Sequence, residues 1–398
     1  MNTQIEKLYR IAGQEERRII GLMSGTSLDG LDIACCKLRH SGTKTKLVLE
    51  HFCSIPYSEA FRIDIRRVFA KHNIDQSVLS GLHAAVGRLH ASFILDAIQN
   101  WDIPVSSVDA IASHGQTVYH APQRLSCEQH FPNSTLQIGD ADHIAYNTGI
   151  ITLSDFRQKH LAAGGEGAPL AVYGDYLLFR SPTENRILLN IGGIANFTFL
   201  PSAGSNDEAF ATDLGPGNTL MNQFMQKTFG KEMDRDAQLA KKGLVNDALL
   251  STLLSAPFFN EAFPKTTGPE LFNLKYLEKA QTLSANKSLT PEDILATLNR
   301  FTSESIARGI RQATKKYNNV QVYISGGGAH NPLLLENIRQ ALPNLRIASS
   351  EKLGLNPDAK EACLFAVLAN ETLVGTPEHV QGIRDAPSIC MGKISLPY

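Results

Sequence analysis

The sequence predicts an α/β protein in two similar halves, and three observations predict it. Strand and helix signals alternate along the chain, as they do where helices cover largely buried sheets. A strand, glycine turn, strand pattern near the start returns near the middle. At 398 residues the chain is also too long for one compact core, which favours two domains. Apolar residues at 43% and charged residues at 19% are ordinary for a packed protein and exclude a disordered one. Lys plus Arg number 38 against 39 Asp plus Glu, so no basic excess exists to collect phosphates, and no nucleic-acid partner is expected. Gly, Asn or charge breaks the apolar stretches before the roughly 18 residues a membrane span needs, so no membrane partner is expected. The first twenty residues lack an apolar core and a cleavage site, which points to a cytoplasmic address.

Taken in order, Arg18 to Met23 reads as a first strand, Ser24 to Gly30 as a tight turn and Leu31 to Leu38 as a second strand, together a hairpin. A third strand around Leu47 to Ile55 completes a meander. Ser77 to Asn100 carries the apolar spacing of a long helix through Leu79, Leu82, Val86, Leu89, Phe93, Ile94 and Ile98. Asp109 to Ser113 is a buried strand ending in the polar cluster His114-Gly115-Gln116-Thr117, and Gly149 to Leu153 is another strand. The polar, turn-prone Ser181 to Asn185 is the expected linker, dividing the chain into 1–185 and 186–398. The hairpin grammar then restarts with Ile187 to Ile191, Gly192-Gly193 and Ile194 to Phe199. Helices follow at Thr219 to Lys227, Pro291 to Lys316 and Asp358 to Thr372, with a strand at Val320 to Ile324 running into Ser325-Gly326-Gly327-Gly328.

Three glycine turns thus each follow an apolar strand and can present backbone N–H groups to an anion. Glycines that merely close hairpins are the plainer account of any one of them. Neither a P-loop nor a dinucleotide-binding glycine pattern is present. Asp29 and Asp32 flank Gly30. Asp213 follows a short apolar stretch and precedes a helix, where a loop carboxylate faces a cleft or, equally, caps a helix or forms a turn. Asp155 and Arg157 either serve a site or pair with each other. The loop Ala162 to Pro169 is too glycine-rich for regular structure and lines a substrate or merely connects. His83 and His90 stand two helical turns apart, about 10 Å by helix rise, too far to share a metal ion. Structural or surface roles suit them better. The six cysteines, Cys35, Cys36, Cys53, Cys127, Cys363 and Cys390, show no C-x-x-C spacing and read as reduced, mostly buried thiols.

These segments, in this order, resemble the anhydro-N-acetylmuramic acid kinases of the sugar kinase, Hsp70 and actin superfamily, from about Ile19 to Ser395. The segments are Gly21-Leu22-Met23-Ser24-Gly25-Thr26-Ser27-Leu28-Asp29-Gly30, Ser113 to Thr117, Leu136 to Gly139, Ser154 to Arg157, Gly164 to Leu170, Asn190 to Gly193, Asp213 to Asn218, Pro264 to Gly268, Gly326 to Ala329 and Pro357 to Ala362. The resemblance implies a two-lobed fold of duplicated ribonuclease-H-like, actin-like ATPase domains with a central ATP cleft. It implies ATP phosphates on the turn Gly25, Thr26, Ser27, Leu28, Asp29, Gly30, Leu31 and Asp32, with Asp29 and Asp32 toward Mg2+. Gly192 and Gly193 become a second phosphate loop, with Gly326, Gly327 and Gly328 beside the nucleotide. His114, Gln116, Asp155, Arg157, Gly165, Glu166 and Glu361 fall on the sugar side, and Asp213 matches the catalytic carboxylate.

The implied reaction converts 1,6-anhydro-N-acetylmuramate, ATP and water to N-acetylmuramate 6-phosphate and ADP, a step of cell-wall recycling, in a homodimer. Departures from the family pattern stand at Tyr119, His160, Leu161 and Met233 to Ala237. They keep open a kinase for another anhydrosugar such as levoglucosan, or an ordinary hexose kinase. A nucleotide-sensing relative of the chaperones would need a peptide-binding extension. An N-terminal docking helix through Ile5, Leu8, Tyr9 and Ala12 is better explained by packing on its own lobe.

Overall fold

A computed structural model describes residues 2–123, 130–284 and 288–398, so Cys127 lies outside the described residues. Among the described residues twelve strands form two sheets, and both obey one plan. In the first, β1 (Glu16–Ser24) runs antiparallel to β2 (Gly30–Arg39), which runs antiparallel to β3 (Lys46–Pro56). On its other side β1 pairs in parallel with β4 (Ala110–Ala121), and β4 in parallel with β6 (Thr152–Ser154). The short β5 (Ser134–Ile138) hangs from β4. In the second sheet β7 (Asn185–Ile191), β8 (Ile194–Leu200) and β9 (Phe210–Pro216) make the antiparallel meander. There β10 (Val320–Ser325) and β11 (Arg346–Ser349) continue in parallel from β7. The shared 3-2-1-4-5 order, antiparallel for three strands and parallel for two, repeats as the hairpin grammar predicts and is the duplicated ribonuclease-H-like architecture that the resemblance implies.

The chain divides into two compact units, Met1–Phe179 with Asp358–Tyr398, and Arg180–Pro357. This corrects the single cut at residue 185, because the last segment belongs with the first unit. The reason is packing at long sequence distance. The helix Lys360–Val374 lies so close to β1 that a Cβ on Gly21 would sit 1.9 Å from the carbonyl oxygen of Ala362. The final strand β12 (Lys393–Ser395) then pairs with β6.

Two predicted strands also change. The strand expected to end at Ser113 continues to Ala121, because β5 supplies a partner for Gln116 to Ala121. The strand expected from Gly149 begins only at Thr152, since Gly149, at φ 70°, ends the helix Ala141–Thr148. The long helix Gln76–Asn100 meets length and composition limits for a membrane span, but it buries Leu82, Val86, His90, Ile94 and Ile98. It is a core helix, with Ile94, Ala97 and Ile98 packed on Ile20, Leu22 and Ile33 of the sheet. Cys35, Cys36 and Cys363 are buried free thiols, with Cys53 and Cys390 half-buried.

Candidate active site

In the first unit the hairpin β1–β2 closes through residues 25–29. Its shape is fixed from beneath. Leu28 adopts a left-handed φ of 61° and is buried among Ile65, Val68, Leu82, Val86 and Val118, which drives the turn's apolar residue inward. Gly30 lets β3 approach, since a Cβ there would lie 2.3 Å from the carbonyl oxygen of Ile55. The backbone N–H of Tyr57 donates to the Asp29 carbonyl at 3.0 Å, holding the exit of the turn. These contacts leave Gly25, Thr26, Ser27 and Asp29 at the hairpin tip, where successive N–H groups and hydroxyls suit an anion.

Asp32 follows on β2 and accepts a hydrogen bond from Ser54. Burial raises its carboxyl, the Ser54 hydroxyl opposes that shift, and the nearby carboxylates Asp358 and Asp29 add to it. No cluster of three or more metal-ligating side chains exists among the described residues. Carboxylates gathered beside a turn that suits an anion nonetheless fit Mg2+, which is held through one or two carboxylates with substrate phosphates and water. Asp29 and Asp32 would hold it.

Gln116, expected on the sugar side, is fully buried next to the turn. Its Oε1 accepts from Ser24, and its Nε2 donates at 3.1 Å to the carbonyls of Gly25 and Thr117. Both ends of the amide are engaged in bracing the turn. Asp155, at φ 55°, opens the helix Phe156–Ala162 and pairs with Lys393 at 2.7 Å. It does not pair with Arg157.

The remaining sugar-side residues converge. Arg157 donates through Nε to His114 Nε2 at 2.9 Å and through Nη1 to the Gly167 carbonyl at 2.7 Å. Because Arg157 can only donate, His114 accepts through Nε2 and carries its proton on Nδ1. Burial, with the guanidinium second, pushes the imidazole down to about 3, so it is neutral at physiological pH. Burial lowers Arg157 to about 10 while Glu361 pulls it up. Glu361 sits in the first turn of Lys360–Val374, reaching solvent. Desolvation raises its carboxyl, Lys360 and Arg157 oppose, and Asp32 adds to the rise. The turn acid Asp32, Glu361, Arg157 and His114 are therefore electrostatic neighbours within one unit.

His160, a departure from the family pattern, supports the glycine loop. Its Nδ1 accepts from the Gly167 N–H at 3.0 Å, and its carbonyl accepts from Gly165 N–H at 3.0 Å. Tyr119 instead meets His72 at 3.0 Å on the exposed rim, and Asp234 accepts from the N–H groups of Leu239 and Ala240.

The second unit assembles its own set. The hairpin tip Gly192-Gly193 gives its carbonyls to the N–H groups of Gly217, Asn218 and Thr219, which open the helix Thr219–Phe229. The turn Gly326 to Gly328 packs on the end of β7. Gly326 has φ 83°, and a Cβ there would meet Asn190 Oδ1 at 2.6 Å. The two glycine turns and the start of that helix thus share one location.

Asp213 is on β9, not on a loop as expected, paired across to Asn196. Its backbone N–H donates to the Lys265 carbonyl at 2.9 Å, and its Oδ2 accepts the Thr267 N–H at 2.8 Å. Burial pushes the carboxyl up from 3.8 to about 6, with the Thr267 N–H opposing and Glu270 adding. A carboxylate of that strength sits near the operating pH of a general base. Thr267, whose buried hydroxyl has no partner among the described residues, was not singled out by residue chemistry. Its only signal is the segment Pro264 to Gly268.

The family model described as anhydro-N-acetylmuramic acid kinase matches residues 17–394. A relative of that name from Pseudoalteromonas atlantica is 52% identical over 100% of both chains. One from Pseudoalteromonas translucida is 48% identical over 99% of both. One from Caldanaerobacter subterraneus is 39% identical over 98% of this chain and 100% of that one. With the duplicated fold, the three glycine turns and the raised carboxylate in place, the chain belongs to the anhydro-N-acetylmuramic acid kinase family.

Proposed function

We propose that the protein uses ATP and water to open 1,6-anhydro-N-acetylmuramic acid and phosphorylate its O6, giving N-acetylmuramate 6-phosphate and ADP. The observation that carries this reading is Asp213, a largely buried carboxyl raised to about 6 on a strand beside a conspicuous Thr267 N–H. The bridging oxygen of an anhydrosugar has no proton for a base to remove. Asp213 therefore takes a proton from water, whose oxygen bonds to C1 as the C1–O6 bond breaks. O6 then takes the γ-phosphoryl group, and the β–γ bridging bond breaks to release ADP. The Thr267 N–H fixes Oδ2, which leaves Oδ1 as the proton acceptor.

The turn Gly25 to Asp32 holds phosphate oxygens by backbone N–H groups and by the hydroxyls of Thr26 and Ser27. Gly192, Gly193 and Gly326 to Gly328 bind the remainder of the nucleotide. Mg2+ bound by Asp29 and Asp32 would supply positive charge to the transferring phosphoryl group. Arg157, neutral His114, Glu361, Glu166 and the N–H groups of the glycine loop orient the sugar. We place the reaction in the cytoplasm, within cell-wall recycling, and expect a homodimer.

A coupled ADP-release assay over 1,6-anhydro-N-acetylmuramate, levoglucosan and reducing hexoses tests the substrate. Turnover should favour the first by at least about 100-fold in kcat/KM, the scale set by unpaired polar groups in a mismatched site. Levoglucosan or a reducing hexose as the best substrate would reassign it.

A further inference from the structure

A buried polar chain runs beneath the phosphate turn, and the mechanism above does not use it. Its direction is determined from one end. Gln116 donates both amide hydrogens to carbonyls, those of Gly25 and Thr117, so its Oε1 can only accept. Ser24 must therefore give its proton to Gln116. The Tyr57 hydroxyl, 2.8 Å from Ser24 Oγ, must then donate to Ser24. That spends the only proton of Tyr57, so His90 Nε2, 2.8 Å away, must carry a hydrogen and donate to Tyr57. His90 is fully buried, and its Nδ1 has no partner among the described residues. Burial pushes the ring down to about 4, which keeps it neutral, and the bond to Tyr57 places its one hydrogen on Nε2.

The chain ends on both sides of the turn. Tyr57 reaches Ser24 at its entry through the hydroxyl and Asp29 at its exit through the backbone N–H. Phe61 and Phe93 pack against the Tyr57 ring, at 4.7 and 6.3 Å between centroids, so the hydroxyl has a fixed address. We propose that Tyr57, oriented by His90, is the positioning residue that sets the shape of the phosphate turn for nucleotide. This rests on the reading of residues 25–32 as the phosphate turn. Tyr57 touches no substrate in it and acts through Ser24, Gln116 and the Gly25 carbonyl.

Calorimetric titration of the full chain with ADP, beside steady-state KM for sugar and a thermal melt, tests it. Tyr57→Phe keeps the ring and removes the hydroxyl. It should weaken ADP about tenfold, the scale of one lost buried hydrogen bond, while the sugar KM stays within about twofold. His90→Gln retains an N–H donor and should bind ADP within about twofold of the parent, whereas His90→Phe should match Tyr57→Phe. Equal weakening of ADP and sugar in Tyr57→Phe would mean general loosening and overturn the proposal, as would failure of His90→Gln to restore binding. Gly25→Val separates the underlying reading, because a Cβ there meets, among the described residues, Ser27 alone, its Oγ at 3.5 Å and its N at 4.0 Å. If Gly25→Val weakens ADP and Tyr57→Phe does not, Tyr57 has no positioning role and the turn keeps its assignment. If neither weakens ADP, residues 25–32 are not the phosphate turn, and the role of Tyr57 falls with them.

Discussion

The two units fold one strand order twice and finish its hairpin in different ways. In the first, the turn between β1 and β2 spans residues 25–29 and rests on a buried polar chain and on Leu28. In the second, the turn between β7 and β8 is two glycines whose carbonyls are occupied by the N–H groups of residues 217–219. The acid also moves. Asp32 lies on the second strand of its meander with Ser54 bonded to it, whereas Asp213 lies on the third strand with a backbone N–H. Duplication thus conserves the sheet, which needs only strand periodicity, and frees the strand ends to specialise. One end suits phosphate and metal, and the other carries a raised carboxyl and close-packed glycines.

That contrast breaks most sharply at Asp213. Asp213→Asn should lower kcat by about 100-fold or more, the range for a lost general base, with ADP affinity nearly intact. Purified, folded variant turning over like the parent would remove Asp213 from the chemistry. Its stability should move the other way. The folded carboxyl titrates near 6 against an ordinary 3.8, so the folded state holds the proton more tightly. Stability associated with that proton is present below the ordinary value and is lost as pH rises through about 6. Asn, which never ionises, should thus stabilise the fold above pH 7 by ~1–3 kcal/mol, seen as a gain in denaturant midpoint that fades below pH 4.

The pH–rate profile sharpens the same point. A base titrating near 6 makes kcat fall about tenfold per unit on the acid side of pH 6. An acid limb near 4 instead would assign the base to a solvated carboxylate.

How much of this is legible in the sequence follows from distance along the chain. Hairpins, the helix Gln76–Asn100 and the glycine turns are local patterns and can be read directly. Placement of residues 358–398 in the first unit cannot be read so, because Gly21 meets Ala362 only after the whole second unit has intervened. Ser24, Tyr57, His90 and Gln116 are dispersed over β1, the end of β3, a helix and β4, so no spacing rule joins them. The bonds of Gln116 to Gly25 and of Asp155 to Lys393 likewise emerge only in three dimensions. His160 looks like a departure in sequence and is a loop support in structure.

Two glycine substitutions give smaller effects and compare turn with scaffold. Gly326→Ala sets a methyl against Asn190 and into φ 83°, and should cost about 1–3 kcal/mol in a denaturant melt. Gly81→Ala lies at an exposed site in the helix Gln76–Asn100, with nothing within 4 Å, and should stabilise by about 0.5–1 kcal/mol. Equal melts for the two would deny that the second unit's glycines are held by close packing.

Isotope placement tests most directly whether Asp213 directs water to C1 while the old bridge oxygen receives phosphate. The reaction is run in ¹⁸O-water with 1,6-anhydro-N-acetylmuramate and quenched before the hemiacetal exchanges, and the product is fragmented in a mass spectrometer. One ¹⁸O at C1 for each product molecule is expected, and none in the phosphate ester. Label in the phosphoryl group, or phosphorylated sugar with an unlabelled C1, would contradict it.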